Sequence, residues 1–172
     1  MTAPASIVLR SADERDLDAI NTVIERAVMG WDLPERVKRL ALPLYRYSAY
    51  DVRVMQFRVA ELPGEGITGV AAWEDADPRE LPDTRDEAAR RTRPGLLLHG
   101  LYIDPAHQRE GIGSRLLEAS ILAAREAGAE WLLVKAQNGA EAFFERHGMA
   151  RLPVRDPDRD YDSRYLLELD PV

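Results

Sequence analysis

The residues of this chain whose types and spacing best suit chemistry are Gly111 and Gly113, which stand two apart in the stretch QREGIG. An apolar run from Leu96 to Ile103 precedes them, and the apolar residues that follow have helical spacing. The first N–H groups of a helix have no partner within it and, with the helix dipole, favour an anion. Because glycine has no Cβ, a phosphate can approach the backbone closely. The stretch therefore predicts an anion-binding turn between a strand and a helix.

Two stricter phosphate-binding motifs are absent from the sequence. There is no G-x-x-x-x-G-K-[ST] stretch, which excludes a Walker-type loop. The dinucleotide fingerprint also fails, because Gln108 and Glu110 stand where that motif needs glycines. For an isolated G-x-G the alternative is an ordinary glycine-bearing turn.

The stretch Gln108–Gly113 resembles the acetyl-CoA loop of the GCN5-related N-acetyltransferase (GNAT) family, which reads Q/R-x-x-G-x-G/A. The preceding LYIDP resembles the end of that family's central strand, and Asn138–Met149 resembles its later helix, which ends in glycine and an apolar residue. The order of these parts extends over roughly the whole chain, except for an insert after Trp73. The resemblance implies an acetyl-CoA-dependent N-acetyltransferase that transfers the acetyl group to a primary amine. Direct transfer is favoured, because a chain without cysteine cannot form an acetyl-cysteine.

The same resemblance implies which residues hold acetyl-CoA. Backbone N–H groups of the turn would bind its pyrophosphate, and its pantetheine arm would run beside the strand backbone at 101–103 like an added strand. Asn138 would lie against that arm. The implied cofactor-binding residues are Leu101, Tyr102, Ile103, Gln108, Arg109, Glu110, Gly111, Ile112, Gly113, Ser114, Asn138 and Phe144.

Amine acetylation also requires a neutral amine. For a lysine-like amine with a pKa of about 10.4, neutralisation at pH 7 costs roughly 4.6 kcal/mol, so a general base accelerates the reaction. Alternation along the strand places Leu97, His99, Leu101 and Ile103 on one face, and His99 alone among them titrates. The reference pKa of histidine, about 6.5, suits a base. We therefore hypothesise that His99 is the base; a core histidine with satisfied hydrogen bonds is the alternative.

The sequence departs from the family at Phe144. Many members carry a tyrosine four residues before the terminal glycine of this helix, and that tyrosine protonates the departing thiolate. Here Tyr102, Tyr165 or solvent is expected to supply the proton. The departure also supports a second hypothesis, a catalytically silent acyl-CoA-binding or sensing domain. A protein-interaction module without affinity for CoA is a third.

The predicted fold is α/β (α+β), a mixed and mostly antiparallel sheet flanked by helices, in one domain over residues 1–172. Residues 74–94 form a charged, proline-punctuated insert, which we interpret as a flexible loop rather than a lid, with a short helix allowed at Thr84–Arg93. The other predicted elements are strands at Ser6–Arg10, Asp51–Glu61, Ile67–Trp73, Leu96–Ile103, Trp131–Val134, Met149–Leu152 and Tyr161–Leu169, and helices that start at Asp13, Pro34, Gly111 and Asn138. Pro43 is expected to break the second helix.

Composition limits the classes of partner. The chain has 23 Lys and Arg residues and 30 Asp and Glu residues, which gives a net charge of −7. The sequence contains no basic patch of the kind that would predict nucleic-acid binding. The chain has three scattered histidines and no cysteine, so the spacing typical of metal ligands is absent from the sequence. Two of the histidines, His107 and His147, are expected to be structural. No apolar run approaches the ~18 residues of a membrane span. The start of the chain lacks signal-peptide features, so a cytoplasmic location is expected.

The acceptor is expected to be a small-molecule or peptide amine, and its identity stays open. In the family, the region between the first two helices borders the acceptor, which makes four aromatic residues candidate pocket walls. Plain packing is the alternative for each of them. They are Trp31, Tyr45, Tyr47 and Tyr50. A homodimer is compatible with the resemblance.

Overall fold

The computed structural model describes residues 6–82, 87–137, 139–158 and 160–170. Its strands are β1 (Val8–Ser11), β2 (Gln56–Leu62), β3 (Gly66–Asp75), β4 (Gly95–Ile103), β5 (Trp131–Lys135), β6 (Ala150–Arg151) and β7 (Arg164–Glu168). Its helices are α1 (Leu17–Met29), α2 (Glu35–Tyr45), α3 (Ala49–Val54), α4 (Glu87–Thr92), α5 (Ile112–Glu126) and α6 (Glu141–Arg146).

Hydrogen bonding orders the strands as β1-β2-β3-β4-β5-β7-β6 in one sheet. The pairs β1–β2, β5–β7 and β6–β7 are antiparallel, whereas β4 and β5 are parallel. The predicted fold class, a mixed and mostly antiparallel sheet with flanking helices, is confirmed. Two compact units make up the chain, Met1–Ala72 with Gly100–Ala119 and Trp73–His99 with Ser120–Val172.

In the first unit, α1 supplies one side of the hydrophobic core. A 3-10 turn at Glu14–Asp16 leads into the helix and carries a capping box, in which the Asp13 carboxylate accepts the Arg15 N–H at 2.9 Å and the Asp16 carboxylate accepts the Asp13 N–H at 3.0 Å. Its apolar residues recur at helical spacing and are buried with Phe57 and Val70 of the adjoining strands. Ile20, Val23, Ile24 and Ala27 are buried on this face, and Leu17 is partly buried.

The first unit also contains a close approach of β3 to α5. A Cβ placed on Gly69 would lie 2.7 Å from Ile112 Cγ2 and 3.0 Å from Leu116 Cδ1. A Cβ contact of 2.7 Å essentially never occurs in proteins, so this close packing of α5 requires glycine at position 69. This packing fixes the position of the first turn of α5.

In the second unit, β5 runs through a small apolar cluster. Trp131 is fully buried with Leu133 and Leu166, and its indole N–H donates to the Arg93 carbonyl at 3.2 Å. Gly95 lies so close that a Cβ there would meet the indole at 2.0 Å. The guanidinium of Arg93 also forms ion pairs with Glu130 and Glu168, and these pairs hold the segment just before β4 in place.

The predicted insert, residues 74–94, is described over 74–82 and 87–94. It contains the end of β3, a 3-10 turn at Pro78–Glu80, and α4, which falls within the short helix allowed at Thr84–Arg93. Leu81 is buried in the apolar cluster of the second unit, and Glu80 accepts a hydrogen bond from Lys135 at 2.7 Å. The described part of the insert is therefore packed against its own unit rather than loose.

Several predicted boundaries differ from the structure. The last strand begins at Arg164 rather than at Tyr161. The residues at the start of the predicted strand Asp51–Glu61 belong to α3, because Ser48 and Asp51 form a capping box that nucleates a helix. Pro43 does not end the second helix, which continues to Tyr45. A proline in the last turn removes only the bond that its own N–H would make, so the helix tolerates it there.

Candidate functional site

The site begins where β4 ends, at the buried residue Asp104. Its carboxylate accepts the Ala106 N–H at 3.0 Å and a hydrogen bond from Arg26 of α1 at 2.8 Å. Its own N–H donates to the Thr68 carbonyl at 2.9 Å. Burial raises the pKa of Asp104, but the hydrogen bonds from Arg26 and Ala106 outweigh burial and hold the pKa below its ordinary value. Asp104 therefore stays ionised and fixes the start of the turn.

The turn that follows contains two residues with left-handed backbone conformation. Arg109 has a φ of 68° and Gly111 a φ of 83°, so left-handed residues occur on either side of Glu110. Helix α5 begins at Ile112, and the Arg115 N–H donates to the Gly111 carbonyl at 3.1 Å. The N–H groups of Ile112 and Gly113 precede that bond at the positive end of a helix of 15 residues. The predicted strand, turn and helix are thus present.

The turn is tied to the β2–β3 hairpin through His107. Its Nε2 lies 2.7 Å from Glu65 Oε2, and its Nδ1 lies 3.3 Å from Glu110 Oε2. Burial lowers the pKa of His107, but the carboxylates of Glu110 and Glu65 outweigh burial and place the pKa above its ordinary value. The sequence predicted a structural histidine and did not identify either carboxylate partner.

Burial alternates along β4 as the sequence predicted. Leu98, Gly100 and Tyr102 are buried, whereas Leu97, Leu101 and Ile103 are half-buried and His99 is exposed. The alternative of a core histidine is therefore wrong, and His99 lies on the less buried face of the strand. The register of β4 with β5 runs from Gly95 to Leu98, while β4 continues to Ile103.

Tyr102 lies on the opposite face of β4 from His99. It is 9% exposed and belongs to the core of the first unit, together with Tyr47 and Phe57. A Cβ on Gly100 would come within 2.5 Å of both tyrosine side chains, so Gly100 leaves the space that they occupy. Tyr102 therefore has a packing role in addition to any role in proton transfer.

Phe144 and Tyr165 lie together in the second unit. Their rings stack with centroids 5.9 Å apart, and the Tyr165 hydroxyl donates to Glu145 Oε1 at 3.3 Å. Burial of the ring and the nearby carboxylate of Glu145 raise the pKa of Tyr165. The phenol thus stays protonated at neutral pH. The hydrogen bond from Tyr165 to Glu145 was not predicted, since nothing in the sequence around Glu145 distinguishes it from a solvent-facing helix residue.

The remaining predicted residues are placed as follows. Asn138 lies outside the described residues. Trp31 and Tyr45 pack edge to face at 5.1 Å and line the core of the first unit, as does Tyr47, while Tyr50 is exposed. Among the described residues, no group of three or more His, Asp or Glu side chains could hold a metal ion. No helix in the described part of the chain is long and apolar enough to span a membrane.

Comparison of the sequence with models of known protein families identifies the family of this chain. The model of the acetyltransferase (GNAT) domain matches residues 54–148, more than half of the chain. The matched region runs from the end of α3 to the glycine after α6 and so includes the whole strand, turn and helix described above. The chain therefore belongs to the GNAT acetyltransferase family.

Solved structures with the same fold include complexes with coenzyme A and with acetyl-CoA. The PaiA N-acetyltransferase of Thermoplasma acidophilum, in complex with coenzyme A, has a TM-score of 0.73 at 14% identity and covers 95% of this chain and 99% of its own. A GNAT family acetyltransferase of Brucella melitensis, in complex with acetyl-CoA, has a TM-score of 0.62 at 19% identity. The match covers 97% of this chain and 90% of the Brucella chain.

A third structure with this fold has a nucleic acid bound. AtaT complexed with acetyl-methionyl-tRNAfMet has a TM-score of 0.59 at 17% identity and covers 95% of each chain. At these identities the likeness concerns the fold. No curated protein sequence matches this chain.

Proposed function

We propose that this protein is an acetyl-CoA-dependent N-acetyltransferase that transfers the acetyl group directly to a primary amine. The observation that carries the proposal is the turn between β4 and α5, in which Arg109 and Gly111 have positive φ. Such a turn presents backbone N–H groups to an anion, and each charge-assisted hydrogen bond contributes roughly 1.5–3 kcal/mol. Acetyl-CoA supplies a thioester as the activated acetyl group and a pyrophosphate that fits these donors.

Two further features support the proposal. β4 continues to Ile103 beyond its last paired residue with β5, Leu98. The backbone at 101–103 suits the predicted added-strand contact with a pantetheine arm, because extended amides bind through the same groups as a strand. The Thermoplasma and Brucella relatives bind coenzyme A and acetyl-CoA, respectively.

In the proposed reaction, His99 accepts the ammonium proton of the acceptor, directly or through water. Its exposed position on β4 leaves it accessible to an acceptor. The amine then attacks the thioester carbonyl, and the C–S bond breaks to release CoA as a thiolate. The nitrogen loses a second proton to solvent as the neutral amide forms. Tyr165, Tyr102 or water supplies the proton that the thiolate takes up, and a tyrosine that has given up its proton regains one from solvent. The raised pKa of Tyr165 is consistent with a phenol that still holds its proton at neutral pH.

A catalytically silent acyl-CoA-binding domain is the second candidate, and Phe144 is the observation that favours it. Phe144 stands four residues before Gly148, the position at which many family members carry the acid, and a phenylalanine offers no hydroxyl there. The side chain is 4% exposed. Such a domain would bind acetyl-CoA and release no CoA with any amine.

Acetyl-CoA turnover over an acceptor panel separates the two candidates. The panel should contain polyamines, amino acids, peptides with free N-termini and lysines, and aminoacyl-tRNA, since AtaT is bound to an acetylated aminoacyl-tRNA. We expect amine-dependent release of CoA together with an acetylated product detected by mass spectrometry. Tight acetyl-CoA binding without turnover of any acceptor would support the silent domain instead.

A further inference from the structure

The anion-binding turn contains an acidic residue, Glu110, between its two left-handed residues. Its side chain is 49% exposed, so its charge is only partly screened by water. A carboxylate at this position repels the pyrophosphate that the turn is proposed to bind. The imidazole of His107, which is 13% exposed, lies against this carboxylate and is a cation when it is protonated.

His107 contacts two carboxylates, one through each ring nitrogen. Nε2 lies 2.7 Å from Glu65 Oε2, and Nδ1 lies 3.3 Å from Glu110 Oε2. Ionised carboxylates only accept hydrogen bonds, and a neutral imidazole has a single N–H to donate. Both contacts are therefore satisfied together only in the imidazolium form, which donates from both nitrogens.

We propose that His107 is a positioning residue for acetyl-CoA: as an imidazolium it neutralises Glu110 and ties the anion-binding turn to Glu65 of the β2–β3 hairpin. This inference rests on the proposed function, because it assigns His107 a role in binding the phosphates of acetyl-CoA. Loss of the imidazole proton leaves one carboxylate contact unmade and returns a negative charge to the turn. Affinity for acetyl-CoA then falls as pH rises.

The charges around the imidazole favour the protonated form. Glu65 and Glu110 contact it directly, and Asp104 acts on it from the start of the turn, although Asp104 is itself paired with Arg26 of α1. The pKa of His107 is raised in the folded protein, which agrees with this surplus of negative charge. The stability that the imidazolium contributes is thus complete below the ordinary pKa of histidine and is lost as pH rises through the folded pKa.

The test is the dissociation constant of acetyl-CoA, measured by calorimetry from pH 6.5 to pH 9 at fixed ionic strength. A phosphate monoester has a pKa of about 6, so the ligand itself still titrates slightly in this range. That titration is the same for every variant at a given pH and therefore cancels when variants are compared. In wild type we expect affinity to fall by about two- to fivefold across the range, as for one partly exposed charge. His107→Gln should bind at pH 6.5 as weakly as wild type does at pH 9.

Rescue by a second substitution distinguishes this role from a purely structural one. Glu110→Gln should bind more tightly than wild type at pH 9 and without this pH dependence, and the double variant His107→Gln/Glu110→Gln should match it. Glu65→Gln removes one partner of the imidazolium and should move the transition to lower pH. The control is Glu118→Gln, which removes an exposed carboxylate of α5 and should leave the pH profile as in wild type.

Three results would overturn the inference. If wild-type affinity is independent of pH, or if its pH dependence persists in Glu110→Gln, His107 does not act through Glu110. If Glu110→Gln fails to restore binding to His107→Gln, the histidine supports the fold alone. Failure of wild type to bind acetyl-CoA at any pH would overturn the proposed function as well, which separates the two failures.

Discussion

Arg26 of α1 donates a hydrogen bond to the Asp104 carboxylate at 2.8 Å, although 78 residues separate the two in sequence. The contact joins the first helix to the residue at which β4 ends and the anion-binding turn begins. Asp104 is nearly buried, with 7% of its side chain exposed, whereas 62% of the Arg26 side chain is exposed. The pair therefore resembles a buried carboxylate held by a surface cation.

Removing Arg26 should destabilise the protein more than removing an exposed arginine does. Arg26→Met leaves the Asp104 carboxylate buried with a partner lost, so we expect the free energy of unfolding to fall by about 1–3 kcal/mol. Arg39→Met, which breaks the exposed pair with Glu35, is the matched control and should cost less than about 0.5 kcal/mol. Urea denaturation measures both.

The pH dependence of this effect has a defined sign. The folded pKa of Asp104 is lowered, so its contribution is present above the ordinary pKa of aspartate and is lost as pH falls through the folded value. The difference between wild type and Arg26→Met should therefore shrink in acid. Equal effects of Arg26→Met and Arg39→Met at neutral pH would show that the buried carboxylate does not need its cation.

Substitution of His99 tests the proposed base. His99→Gln should lower kcat/KM by roughly 10²–10⁴, the range expected for a general base, and should remove the acidic limb of its pH profile. His147→Gln, at the end of α6, is the control that changes another histidine without touching β4. A folded His99→Gln protein with a wild-type pH profile would exclude this role.

The region around Phe144 tests how the thiolate is protonated. A thiol has a reference pKa of about 8.5, so CoA leaves readily without a strong acid. Phe144→Tyr should keep acetyl-CoA affinity and hold or raise kcat, by up to about tenfold, or ~1.4 kcal/mol. If a tyrosine already serves, Tyr165→Phe or Tyr102→Phe should lower kcat by more than its effect on stability explains.

The outcomes of that series also separate the two candidate functions. Unchanged kcat in both tyrosine variants would assign the proton to solvent. A wild-type protein that binds acetyl-CoA without turnover, and that gains activity on Phe144→Tyr, would contradict the enzyme assignment. Kinetics under saturating acetyl-CoA, with urea midpoints for each variant, provide the readout.

Local patterns in the sequence predicted the parts of the fold that local physics determines. The strand, turn and helix around Gly111 follow from a switch in apolar periodicity, and α1 follows from its apolar spacing and from the capping box of the 3-10 turn that leads into it. The prediction failed at Val52 and Val54, whose β-branched side chains favour a strand. The Ser48–Asp51 capping box decided in favour of α3, because it satisfies backbone donors that a strand would leave for a neighbour.

The candidate site was predicted where it depends on one segment and missed where it depends on several. The alternation of β4 placed His99 correctly on its face, because it needs only the period of a strand. The pairs His107–Glu65 and Asp104–Arg26 could not be predicted, since Glu65 and Arg26 belong to other elements of the fold. Such contacts exist only after the chain has folded, and nothing in the spacing of one segment encodes them.

Binding of acetyl-CoA by the turn between β4 and α5 is the central claim, and calorimetry with acetyl-CoA tests it most directly. Wild type should bind, and ligand at about 100 times the dissociation constant should add about 2.7 kcal/mol to the free energy of unfolding. Gly113→Val puts a branched side chain where the phosphate must approach, and it should abolish both effects while the protein stays folded. No binding by wild type at millimolar acetyl-CoA, or equal binding by folded Gly113→Val, would contradict the account.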